Sequence, residues 1–343
     1  MPLLISYHAK LMPKETVQIQ TQLIKEIKAT RNIQEVVIDN PRTINKKIVW
    51  VNIVNAGKKE IEYLRKKYNF QINHLHASSS TVFAQHPSVK HGEGYIFAIM
   101  HFPIYFNDAV ASTEVDIFVG HGHLVTLHNG NLSALNEFFN LCKKDGDSLL
   151  TYKFESSTVL LYELLEKLMH SCFPLLDKNS LAINKVEEII FSNEQKKAVS
   201  EILALRHNII SFHKIMHSHK KILTKFMEMK SKLVPSDQLK IYYKKLIEHS
   251  KTIWEILENQ KEIIEILNST NESLLNYRLS EIMKTLTIFS IISFYLTLIA
   301  GIFSMRTEGM PIVHTPNGFW IILGIMGIIG LSILLFFKRK KWL

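Results

Sequence analysis

The chain has 343 residues, 47% of them hydrophobic, and its 41 Lys and Arg against 31 Asp and Glu give a formal net charge of +10. That length holds one sizeable soluble domain together with membrane-crossing segments. Cys142 and Cys172, the only cysteines, show no CxxC pairing or metal-ligand spacing, which argues against a disulfide-stapled secreted fold, and the scattered basic residues come with no nucleic-acid-binding signature.

The N-terminal stretch "MPLLISYHAKLMPKETVQ" lacks a basic flank, a sustained apolar core and a small-residue cleavage site, so no cleavable signal peptide is expected. Three segments then read as strands: "KKIVWVNIV" (46–54), "GYIFAIMHFPIYF" (94–106) and "TEVDIFVGHGHLVTLHNG" (113–130). Each is rich in β-branched and aromatic residues and bounded by Gly, Asn or Pro. Segments 57–69 and 132–143 have helical patterns. Residues 1–147 are therefore expected to form an α/β domain on the cytoplasmic side. Residues 148–235 form a helical arm, read as two long amphipathic helices joined near "FSNE" (191–194).

A stalk helix is expected over 236–284. From Ser236 onward Leu239, Tyr242, Leu246, His249, Ile253, Ile256, Gln260, Ile263, Leu267, Thr270, Leu274 and Tyr277 alternate steps of 3 and 4, the seam of a self-associating helix. Neither Pro nor Gly interrupts residues 236–300, so the helix is expected to run unbroken into the membrane. Ser236 to Ser304 would then span roughly 100 Å.

Two apolar windows define the class. Residues 285–305, "TLTIFSIISFYLTLIAGIFSM", run 21 residues without a charge, and 319–337, "FWIILGIMGIIGLSILLFF", run 19. About 20 residues of helix cross the hydrocarbon layer. The loop between them, 306–318, carries Arg306 and Glu308, whereas Arg278 and Lys284 precede the first span and the basic tail 338–343 follows the second. The positive-inside bias puts both termini in the cytoplasm and the loop outside, a multi-pass arrangement in the inner (plasma) membrane. Trp320 and Trp342 bracket the second span at interfacial depth.

Along the first span Thr287, Ser290, Phe294, Thr297, Gly301 and Ser304 form one narrow stripe, and Ser280 and Met283 extend it toward the cytosol. Small and hydroxylated residues fit tight helix packing as well as the lining of a pore. In the second span Gly324, Gly327 and Gly330 fit close helix approach. One chain with two spans cannot enclose a wet path, so a ring of identical subunits is expected. Among the 16 histidines, His213 and His217 stand i, i+4 with His207 and His219 nearby. Such spacing suits a transition metal on a helix face, and also the commoner solvated polar positions. His121 and His123 on a strand turn are a weaker signal. With no nucleotide loop, nucleophile elbow or paired-carboxylate motif, nothing points to an enzyme.

The blocks "WVNIVNAGKKEIEYL", "HPSVKHGEGYIFAIMHFP", "EVDIFVGHGHLVTLHNG", "SEIMKTLTIFSIISFYLTLIAGIFSM" and "FFKRKKWL" resemble, in order and nearly end to end, those of the CorA magnesium transporter family. The resemblance implies a homopentameric funnel in the lipid bilayer, with a cytoplasmic α/β domain, a stalk continuing into the pore-lining first span, and an outer ring of second spans. It implies a permeant divalent ion, Mg²⁺ or Co²⁺, Ni²⁺ or Zn²⁺, with no covalently bound cofactor and no nucleic acid. The pore would be lined by Ser280, Met283, Thr287, Ser290, Phe294, Thr297 and Gly301. Met283 and Leu286 would stand at the hydrophobic gate, with Ser280 at the cytoplasmic constriction, where the family has asparagine.

Ser304, Met305 and Arg306 stand in place of the family's Gly-Met-Asn signature at the entrance, and Ile312 replaces a glutamate, while Glu308 is retained. An arginine offers five N–H donors, no acceptor and a permanent charge. Two such charges 8 Å apart cost about 2 kcal/mol at an effective dielectric near 20. Either Arg306 turns outward and pairs with Glu308, leaving Thr297 and Ser290 to select, or the mouth is electropositive and the pore passes anions or barely conducts. Lys245 stands where the family has a regulatory carboxylate on the stalk, so no sensing site is carried over. The expectation is a divalent-cation channel with altered entrance selectivity. The contrasting class is a poorly conducting or anion-permissive pentamer acting as a membrane scaffold or sensor.

Overall fold

The computed structural model describes residues 31–39, 47–79, 85–144, 156–192, 194–228, 236–305, 317–340 and 342. Arg306, Glu308 and Ile312 lie outside them. The chain divides into two units, Met1–Glu188 with Ser200–Glu265, and Ile189–Val199 with Ile266–Leu343.

The first unit is built on a six-stranded sheet of order β1-β2-β6-β5-β4-β3. Its strands are β1 (Ile33–Asp39), β2 (Lys47–Val54), β3 (Ser88–Gly92), β4 (Tyr95–Phe106), β5 (Ala109–Gly120) and β6 (His123–His128). Neighbours pair antiparallel except β2 with β6, which are parallel. Period-two alternation sorts side chains onto two faces. Along β4, Ile96, Ala98, Met100 and Phe102 enter one apolar cluster, whereas Tyr95, Phe97 and Ile99 enter another. The second cluster is closed by α1 (Lys58–Tyr68) and α2 (Ile72–Ala77) through Tyr63, Leu64 and Leu75, with Phe70 from the link between them.

The first cluster is closed by α3 (Ser133–Lys144) and α4 (Ser157–His170), with further residues from α5 (Phe173–Phe191), α6 (Gln195–Met216), α7 (His219–Glu228) and the long helix α8 (Ser236–Phe303). Trp50 on β2 is fully buried against Phe138 and Phe139 of α3, at ring distances of 5.5 and 4.9 Å. Its Nε1 donates to Thr126 Oγ1 at 3.1 Å, and that hydroxyl donates to Asn52 Oδ1 at 2.7 Å, so these three side chains are partnered. At the head of α4, Ser156 caps the helix by accepting from the Val159 N–H, and the Ser157 hydroxyl donates to the Gly120 carbonyl at 2.6 Å.

The arm differs from the two helices expected there. The join near 191–194 is present, but each half is broken again, at Ser171–Cys172 and at His217–Ser218. Pro174 explains the first break: with no N–H and a ring that clashes one turn back, it is tolerated only in the opening turn of α5. Strands β1 and β3 and helix α2 were not anticipated from the sequence.

The 68-residue α8 contributes to both units. Of the expected seam, Leu246, Ile253, Gln260 and Leu267 are buried, but the intervening buried positions are Tyr243, Ser250, Leu257, Ile264 and Asn271, one residue further along than expected. Tyr243, Leu246, Ile253 and Leu257 share the cluster that holds Leu160, Leu164 and Phe212, so this part of the seam packs on the chain's own arm. Gln260 completes it with polar contacts: its Nε2 donates to the Leu176 carbonyl at 2.9 Å and to Ser180 Oγ at 3.0 Å, and its Oε1 accepts from Asn179 Nδ2 at 3.4 Å.

In the second unit, α8 and the last helix, α9 (Gly318–Arg339), are each long and apolar enough to cross a membrane, and almost none of either apolar window is buried by the chain itself.

Candidate functional site

The membrane half of α8 has two unlike faces. Ser280, Met283, Leu286, Thr287, Ser290, Phe294, Thr297, Gly301 and Ser304 are all exposed in the single chain. At 100° per residue they fall within an arc of about 120°. On the other side Ile288 is buried and Ile292, Ile299 and Phe303 are half-buried. The sequence-derived stripe is thus a continuous helix face that the chain leaves open. The Thr287 hydroxyl donates to the Met283 carbonyl at 2.7 Å and Ser290 to the Leu286 carbonyl at 2.8 Å. Such back-bonding satisfies the O–H donors within the helix and leaves oxygen lone pairs free to face outward, the polarity a hydrated cation requires.

Leu286, Thr287, Ser290 and Phe294 of this face, with Ile291 and Tyr295 beside it, line one open groove. Helix α8 ends at Phe303, and Ser304 and Met305 form the turn that follows. The other two residues expected at an entrance, Arg306 and Glu308, lie outside the described residues. A Cβ added at Gly301, Gly324, Gly327 or Gly330 would meet nothing within 4 Å, so among the described residues no helix of the same chain approaches these glycines closely.

On the soluble part of α8, Lys245 Nζ donates to Glu166 Oε1 of α4 at 2.6 Å. Burial alone would raise the Glu166 carboxyl, but hydrogen bonds from Lys245 and Tyr162 and the Lys245 charge outweigh it and hold the group below its ordinary value. Burial first, then the same carboxylate, push the Tyr162 hydroxyl up to about 12. A lysine–glutamate pair therefore occupies this position on α8.

Among the described residues, the histidines singled out by spacing do not converge with two further potential ligands. His213 Nε2 lies 2.6 Å from Glu258 Oε1 with its ring 3.6 Å from that of Trp254, and His217 flanks the same indole at 5.6 Å. His219 is fully buried, its Nε2 bonded to the His101 carbonyl at 2.6 Å, and burial lowers its pKa to about 4. His123 packs on Tyr68 at 4.8 Å and burial lowers it likewise to about 4. Among the described residues one trio of potential ligands does converge, Glu166, His170 and His249. The i, i+4 pair Glu166 and His170 was the available sequence signal for it. His249, read as a seam position, was its unrecognised third member.

A soluble α/β unit whose long helix continues as one candidate membrane span, followed by a second candidate span, is an architecture that known proteins match. Residues 45–339 match the family described as CorA-like Mg2+ transporter protein, and the chain belongs to that family. It is 23% identical over 304 residues to the cobalt/magnesium transport protein CorA of Methanocaldococcus jannaschii, covering 87% of this chain and 92% of that protein. To the protein of the same description from Thermotoga maritima it is 24% identical over 299 residues, covering 86% and 83%. The complete structure of the CorA magnesium transporter from Methanocaldococcus jannaschii superposes with a TM-score of 0.80 at 19% identity, covering 92% of this chain and 100% of that one, and so shares the fold. The family is one of transporters rather than enzymes.

Proposed function

We propose that the chain assembles as a homopentamer in the inner membrane, with both termini cytoplasmic, and conducts divalent metal cations along an axis lined by Ser280, Met283, Thr287, Ser290, Phe294, Thr297 and Gly301. The observation that carries this reading is the asymmetry of α8: one face is hydroxyl-bearing and wholly open, and the opposite face is apolar and partly covered. Lipid is a poor partner for a row of oxygen lone pairs, whereas a shared aqueous axis suits them. Met283 and Leu286 bring thioether and alkyl groups to the cytoplasmic end of that axis, where a ring of them closes by excluding water. Phe294, 65% exposed in the single chain, supplies a second apolar ring at mid-membrane.

Arg306 sets the selectivity at the mouth. In a pentamer, Arg306 in place of the family's asparagine brings five permanent positive charges where five amides would stand, which disfavours Mg²⁺ entry. The test is uptake of Mg²⁺, Co²⁺, Ni²⁺ and Zn²⁺ into vesicles reconstituted with the full chain. Uptake of at least one above empty vesicles is expected, and replacing Arg306 by Asn raises it. No uptake by an intact pentamer, even with Arg306→Asn, removes the conduction reading and leaves a membrane scaffold.

A further inference from the structure

Helices α4 and α8 bring together three side chains that the ion pathway does not use. One ligand atom each from Glu166, His170 and His249 lies within 4.8 Å of the other two. The His170 and His249 rings meet edge-on, with centroids 5.4 Å apart. His249 Nδ1 is buried and has no hydrogen-bond partner, so an imidazole nitrogen is held in the protein with its lone pair or proton unsatisfied. His170 is exposed, which leaves the trio open to solvent on one side.

We propose that Glu166, His170 and His249 form a binding site for a transition-metal dication of the Zn²⁺, Co²⁺ or Ni²⁺ kind, which clamps α4 to α8 within one chain.

The donor set selects the metal. Two imidazole nitrogens and one carboxylate oxygen suit borderline-soft dications, whereas Mg²⁺ demands octahedral oxygen ligation and keeps its waters. Ligands around a tetrahedral ion at about 2 Å stand roughly 3.3 Å apart. Side-chain rotation therefore has only a short distance to close, and water supplies the fourth ligand. His249 is placed for this role because its buried Nδ1 has no hydrogen-bond partner to give up. Lys245 is the built-in competitor. Its ammonium already bonds Glu166 Oε1, and a bound dication takes the other carboxylate oxygen or displaces the lysine.

This site does not depend on conduction, and its readout is binding rather than uptake. The full-length protein in detergent is titrated with Co²⁺, and the visible d–d bands of tetrahedral cobalt are followed in a large excess of Mg²⁺. One Co²⁺ per chain is expected to persist against Mg²⁺. His249→Asn is expected to weaken it by more than about 100-fold, beyond what loss of an outer partner costs. Lys245→Gln is expected to tighten it by about tenfold, because a repelling charge is removed. A tighter site is not what misfolding produces. Absence of the bands in the parent chain, their displacement by Mg²⁺, or equal Co²⁺ affinity in the parent and both variants overturns the site. If Co²⁺ binds as expected while vesicles take up no metal, the site stands and the conduction reading alone falls.

Discussion

Trp50 and Phe294 are both large aromatic residues, yet the first is fully buried and the second 65% exposed. The contrast holds for the two regions they belong to. In the sheet, inward residues on both faces find partners from the same chain. On the membrane half of α8 and on α9 large apolar residues such as Phe289, Phe319 and Ile328 stay open. The soluble unit completes its own core, whereas the apolar faces of the candidate spans find almost no partner within the chain, as the proposed assembly in lipid requires. Residues of the first region should therefore act on stability and those of the second on conduction, and each substitution below tests that division.

The largest effect is expected for Trp50→Ala. It empties a site flanked by Phe138 and Phe139 and leaves the Thr126 hydroxyl without its indole donor, so thermal or denaturant unfolding of the soluble unit should show a loss of about 3–5 kcal/mol. Gln260→Leu should cost about 1–3 kcal/mol by the same measurement, because the buried Asn179 amide then loses its acceptor. Ser290→Ala should leave stability within about 0.5 kcal/mol, since its hydroxyl bonds only within its own helix, while changing the relative uptake of the permeant ions. Equal stability losses for Ser290→Ala and Gln260→Leu would dissolve the distinction between the two regions.

The smallest effect concerns Lys245 and Glu166. The Glu166 pKa is lowered by folding, so its contribution is present above its unfolded value and lost as pH falls through the folded one. With the lysine 53% exposed, solvent screening limits the pair to about 0.5 kcal/mol. Unfolding of Lys245→Gln followed from neutral to acid pH should show a gap from the parent chain that closes on acidification.

The division also explains what was legible in the sequence. Alternation in "GYIFAIMHFPIYF" gives β4 and its two faces, because period two survives any tertiary arrangement, and the two uncharged windows announce the spans by length alone. The α8 seam was legible only in part. A heptad shows that a helix packs but not against what, and the arm pulls Tyr243, Ser250 and Leu257 inward where Tyr242, His249 and Ile256 were expected. Breaks inside the arm hide behind continuous amphipathic patterning, although Pro174 marks one. The convergence of His249 with Glu166 and His170 is long-range and carries no local periodicity at all.

Cysteine labelling of the first span tests the central claim most directly. Cys142 and Cys172 are both buried, and burial pushes the Cys172 thiol up to about 12, so the native background is low. In reconstituted full-length protein, Thr297→Cys and Ser290→Cys should react with a small charged, water-soluble thiol reagent, and the modification should block metal uptake, while Ile288→Cys should stay protected. Equal protection of all three, or reaction of Ile288→Cys alone, would contradict a wet axis along this face of α8.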